Sequence, residues 1–90
     1  MGNILDYLSV SAEDIIKLHR TIAANVKKIR KDKNINQLEL ALTIGHKSMS
    51  TIGKIEANLE NKHYNIEQLY KISKALDVPI CSFFNGIDSL

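Results

Sequence analysis

Apolar positions recur every three or four residues along most of this 90-residue chain, and no stretch alternates apolar with polar as a half-buried strand would. Ile15, Leu18, Ile22, Val26 and Ile29 form the first such series. It is preceded by Ser11, with Asp14 three positions on, a capping-box pattern in which Asp replaces the usual Glu. The spacing predicts a helix from Ser11 to about Lys31, interrupted near Arg20 to Ala23. Leu38, Ala41, Leu42 and Ile44 make a second stripe, which Gly45 closes because glycine takes the left-handed conformation at a helix end. Met49, Ile52 and Ile55 open a third. Asn65 with Gln68 starts another capping-box helix carrying Ile66, Leu69, Tyr70, Ile72, Ala75 and Leu76. Pro79 suits the first turn of a last short helix with Ile80, Phe83 and Phe84 as its apolar members. Ahead of all this, Met1 to Val10 holds Ile4, Leu5, Tyr7, Leu8 and Val10 and reads as a packed arm. The expectation is an all-α domain of five helices.

The middle of the chain organises the rest. Asn36 is a good N-cap, since its side-chain oxygen can accept from the free N–H groups of the next turn. The helix Gln37 to Ile44 carries Ala41, small enough for a partner helix to come close. The chain turns at Gly45 to Lys47, and Ser48 or Ser50 is expected to cap a helix reaching Ala57 or Asn58. Two short amphipathic helices joined by a tight glycine turn have the form of a helix-turn-helix, whose second helix can be presented outward.

Charge sharpens that picture. The net charge is only +2, yet residues 1–19 sum to −2, residues 20–64 to +5 and residues 65–90 to −1. Positive charge is concentrated where the two short helices lie, as a phosphate-binding surface requires; a solvated, lysine-bearing helix face would give the same count. Lys27, Lys28, Lys31 and Lys33 line the far face of the first helix. No apolar run approaches the roughly 18 residues of a membrane span, and Asp6 without a basic leader argues against a secretory signal. The lone Cys81 fits a reducing cytoplasm. His19, His46, His63 and Cys81 stand singly, with no metal-ligand spacing, and no glycine-rich phosphate loop or nucleophile motif is present. Neither cofactor nor enzymatic activity is expected, and control by abundance or by a partner is expected over control by a small molecule.

From Asn25 to Phe84 the chain resembles the Cro and C1 repressor type of helix-turn-helix family, also called the xenobiotic-response-element family. The resemblance rests on VKKIRKDKNINQLELALTIG, on the pair Ile55-Glu56 and on IEQLYKISKALDVPICSFF, in that order and spacing. It implies a compact five-helix, lambda-repressor-like domain, here with an N-terminal extension (residues 1–19, then the helix-turn-helix domain over 20–90), binding operator DNA as a homodimer. It also implies a structural ion pair between Arg30 and Glu56 that pins the reading helix to the scaffold. The family usually places its Ile-Glu pair one residue closer to the turn glycine, so HKSMS holds one extra residue, and Met and Ser stand where Arg or Gln is common.

On a helical wheel with Ile52 and Ile55 inward, Ser50, Lys54 and Ala57 face out with Gly53 beside them. Lys54 can donate to guanine O6 or N7, Ser50 can pair with several bases, and Gly53 lets the backbone approach a groove. Counting back from Glu56, the family's base-contact positions fall on Met49, Ser50 and Lys54, whereas the wheel turns Met49 inward; both placements of Met49 stay open. Gln37, by resemblance a phosphate contact, begins the first helix of the motif beside Asn36. Lys47, Ser48 and Thr51 at the mouth of the reading helix, and Lys62 and His63 after it, complete a set that can hold the DNA backbone, although each lysine taken alone reads first as a solvated charge. Tyr70, Phe83 and Phe84 fall on apolar stripes and read as core or dimer contacts. The partners expected are double-stranded DNA and a second copy of the chain, joined through the N-terminal arm and the Pro79 to Leu90 tail. Two alternatives are an antitoxin, whose acidic arm binds a basic toxin while the motif represses its own operon, and a protein-interaction module that kept the fold and lost the DNA.

Overall fold

The computed structural model describes residues 9–90; the expected packing of Ile4, Leu5, Tyr7 and Leu8 lies outside the described residues. Among the described residues four α-helices, α1 (Ala12–Asp32), α2 (Gln37–Thr43), α3 (Ser50–Glu56) and α4 (Ile66–Leu76), are followed by 3₁₀ helices over Ile80–Phe84 and Ile87–Ser89. There is no strand among the described residues. The last of the five expected helices is thus a 3₁₀ segment, with a further 3₁₀ turn behind it.

Local hydrogen bonding sets the helix starts. Ser11 Oγ accepts from the Asp14 N–H and Asp14 Oδ2 from the Ser11 N–H, each at 3.1 Å. The same reciprocal closure joins Asn36 to Glu39 at 2.8 and 3.1 Å and Asn65 to Gln68 at 2.8 and 2.9 Å. Each such cap is worth about 1 kcal/mol. α3 is the exception: its N-cap is Met49, with no side-chain cap. Ser50 is therefore the first helical residue and not a cap, and Ser48 Oγ reaches the Ser50 N–H only at 3.5 Å.

All four helices end the same way. A left-handed residue follows the last turn, Asn34, Gly45, Asn58 and Asp77 in succession, with φ of 59°, 82°, 57° and 54°. The next N–H then reaches back five residues: Ile35 to the Arg30 carbonyl, His46 to Ala41, Leu59 to Lys54 and Val78 to Ser73, at 2.8 to 3.0 Å. This double closure satisfies carbonyls that the helix leaves open and turns the chain sharply.

α1 continues without a break through Arg20 to Ala23. Thr21 is accommodated by returning its hydroxyl to the Lys17 carbonyl at 2.9 Å. The helix is about 31 Å long at 1.5 Å per residue, and only its C-terminal part enters the core: Ile15 is exposed, Leu18 half-buried, and Ile22, Ala23 and Val26 buried.

Val26, Leu40, Ile52, Ile55, Leu69, Ile72 and Phe83 are fully buried and fill the centre, each contributing about 1.5–3 kcal/mol by leaving water. Phe83 brings the C-terminal segment into this core, and Asn25 Nδ2 fastens it by donating to the Phe83 and Asn85 carbonyls at 2.9 Å. The tail is therefore first a part of the core; of its large apolar residues Leu90 is left exposed. Two expectations about faces are corrected, in α2 and at Tyr70, and Met49, open between two placements, takes the outward one. In α2 the inward residues are Leu40, Ala41 and Ile44, while Leu38 and Leu42 are exposed, because the helix is rotated to put Leu40 in the core. Met49 lies outside, 54% exposed. Tyr70 is also exposed, with the Lys74 ammonium 5.2 Å from its ring centroid.

Candidate nucleic-acid interface

Three helices meet at one carboxylate. Arg30, in the last turns of α1, donates from Nε to Glu56 Oε2 and from Nη2 to Glu56 Oε1, both at 2.9 Å. Its remaining nitrogen, Nη1, donates to the Ile35 carbonyl at 2.8 Å. Gln37, the first residue of α2, adds a bond from Nε2 to Glu56 Oε1 at 2.9 Å. The Arg30 and Glu56 side chains are 8% and 3% exposed, so this is a dry, bidentate pair. Because Glu56 is the last residue of α3, the network fixes the azimuth of that helix against α1 and α2. Tyr64 is buried beside the same pair; among the described residues its hydroxyl has no hydrogen-bond partner. Burial foremost, and then the Glu56 charge, push the phenol well above its usual range, against a smaller opposing effect of Arg30.

With Ile52 and Ile55 buried beneath it, α3 turns the opposite edge outward. Ser50 and Ala57 are exposed, and Thr51, Gly53 and Lys54 half-buried. Met49 stands at the same end, so of the two placements the structure has the outward one. Its backbone, at φ −85° and ψ 4°, is not yet helical, and the wheel cannot be extended back to it. Among the described residues a methyl group added at Gly53 would meet only Gln37 Oε1, at 3.8 Å, an ordinary contact. The fold itself therefore does not require a glycine in the middle of α3. The Lys54 ammonium is paired with Glu60 at 2.7 Å, the two side chains 42% and 57% exposed.

The expected phosphate-contacting residues are spread around this edge. Lys47 and Ser48 are exposed at the entry of α3, and Lys62 and His63 are exposed after its end. His63 does not project freely: its ring stacks on His19 of α1, centroids 3.7 Å apart and planes 16° from parallel. Burial first, and the His63 charge second, lower the His19 pKa below its ordinary value. At the start of α2, the Asn36 side-chain oxygen is already used as the cap, and Gln37 has one amide hydrogen on Glu56. Each retains polar capacity, but both belong first to the scaffold.

The Glu60 carboxylate and the His19–His63 stack carry no motif or periodic spacing, and arise where a tightly turning loop folds back on distant residues. Glu39, which completes the Asn36 capping box, lies three residues on and was open to detection by spacing. Among the described residues no group of three or more His, Cys, Asp and Glu side chains is placed to hold a metal ion. No helix among them is long and apolar enough to cross a membrane.

An outward-facing second helix, locked from behind to the helix before it, defines a helix-turn-helix DNA-binding domain. A family model described as helix-turn-helix matches residues 26–83. The chain belongs to that family, in its Cro/C1-type form. No curated protein matches it.

Proposed function

We propose that this protein is a sequence-specific regulator of transcription that reads double-stranded DNA with α3, acting as a repressor and as a homodimer. The observation that carries this reading is Gly53. A glycine inside a helix costs about 0.5–1 kcal/mol relative to alanine, yet nothing among the described residues crowds this position, so the missing side chain serves an approach from outside. It lies among Ser50, Lys54 and Met49, the residues assigned here to base edges, with Lys47, Ser48, Thr51, Lys62, His63, Gln37 and Asn36 assigned to phosphates. The Arg30–Glu56–Gln37 network supports a fixed angle of presentation, the prerequisite for reading bases.

Two α3 helices would enter successive major grooves about 34 Å apart on a roughly palindromic site. Val10, Ile15 and Leu90 remain exposed at 60%, 44% and 63% and supply apolar surface for a second copy. The test is the affinity for a duplex selected from random DNA against that for random duplex, at physiological salt. A ratio of about 10³ or more is expected of a specific regulator; a ratio near unity overturns the proposal.

A further inference from the structure

The reading helix carries its only lysine, Lys54, on its outward edge, and that lysine is shared with an acid. Glu60 reaches back from the loop after α3 and holds the Lys54 ammonium at 2.7 Å. The loop is built to bring it there: Asn58, Glu60 and Asn61 are all left-handed, with φ of 57°, 54° and 51°. Asparagine tolerates that conformation, but a glutamate there is strained and glycine would not be. An ion pair this exposed contributes little to stability and does not offset the strain. The Lys54 hydrogen bond, and then the Lys54 charge, hold the Glu60 carboxyl below the usual carboxylate range, so Glu60 stays ionised at neutral pH.

Resting on the DNA-reading proposal above, we propose that Glu60 is a specificity-determining residue that acts through Lys54. A lysine has three N–H donors. With one on Glu60, two remain for the O6 and N7 acceptors of a guanine edge, which carry no formal charge and tolerate the carboxylate nearby. A phosphate, by contrast, is repelled by Glu60 and cannot neutralise an ammonium that is already neutralised. Glu60 thereby suppresses backbone binding by Lys54 on any sequence while leaving its base contact in place. It is a positioning residue, not a base contact.

The test compares wild type, Glu60→Gln, Lys54→Met and the double variant, each titrated with a duplex selected from random DNA and with random duplex over a range of salt. Glu60→Gln is expected to tighten random-duplex binding more than selected-site binding. Discrimination should fall about two- to fivefold, the scale of an exposed charge pair. The random-duplex plot of log K against log salt should steepen by about 0.9, one added phosphate contact. In the Lys54→Met background both effects should vanish. Glu60→Gly, which relieves the backbone strain, should raise the melting temperature by a few degrees and lose the same discrimination, separating folding from selection. If wild type discriminates but Glu60→Gln changes neither ratio nor slope, or does so equally without Lys54, this inference falls and the regulator proposal stands. If wild type does not discriminate, both fall.

Discussion

Replacing Arg30 with Met, which keeps an unbranched apolar chain and removes the guanidinium, strips Glu56 of two hydrogen bonds and its countercharge and leaves the Ile35 carbonyl without its side-chain donor. The Glu56 side chain is 3% exposed and, among the described residues, has only the Gln37 amide left, so water cannot substitute without opening the α1–α3 contact. Breaking one partner of a buried pair costs about 3–5 kcal/mol. For a domain of this size each kilocalorie is about 4–8 °C of melting temperature, so a fall of about 12–40 °C is expected. The matched variant Arg30→Met/Glu56→Leu removes the charge together with its partner, and should recover most of the loss, because a buried pair and an apolar replacement are often near parity. Thermal and urea melts of wild type, both single variants and the double variant give the coupling energy directly. An Arg30→Met cost below about 1 kcal/mol, or a double variant no better than the single, would refute the claim that this pair is dry and structural.

Other substitutions probe the surrounding features. Gly53→Ala should raise stability by about 0.5–1 kcal/mol while weakening binding to a selected site; unchanged affinity in a direct titration would show that nothing approaches α3 there. Tyr64→Phe removes a buried hydroxyl that has no partner among the described residues and should be neutral or stabilising by about 1 kcal/mol; a urea melt showing a loss of more than that would mean the hydroxyl is bonded after all. His19 has its pKa lowered in the folded state from an ordinary 6.5, so the unfolded chain binds the proton first. Stability is then unaffected well above pH 6.5, declines as the pH falls below it, and levels off beneath the folded value. Melts across that window should lose this part of their slope in His19→Ala, and an unchanged slope would refute the assignment.

The helix starts at Ser11 and Asn65 were legible in the sequence because a capping box is a relation between residues three apart and needs no tertiary partner. The Arg30–Glu56 pair was reachable only through resemblance, since nothing in local pattern links residues 26 positions apart. Faces of short helices were harder. α2 spans seven residues and holds Leu38, Leu40, Ala41 and Leu42 within two turns, so several stripes fit, and the choice of Leu40 is made by what packs on it. Met49 misled the wheel because a wheel assumes helical dihedrals, and Met49 lies one residue before they begin. Three of the four left-handed helix ends carry a weak sequence signal, because Asn34, Asn58 and Asp77 occupy positions where glycine is the stronger marker.

The joint between α2 and α3 has a consequence for how such a protein can change. His46 completes the closure of α2 and Ser50 begins α3, so Lys47, Ser48 and Met49 belong to neither helix and are all exposed. The helix they lead into is anchored at its far end, through Glu56. If α3 reads DNA as proposed, lengthening or shortening this three-residue hinge would change which side chains stand at the groove's entrance while Ile52 and Ile55 keep their places in the core, so target preference could drift by insertion and deletion as well as by substitution, over an unaltered foundation.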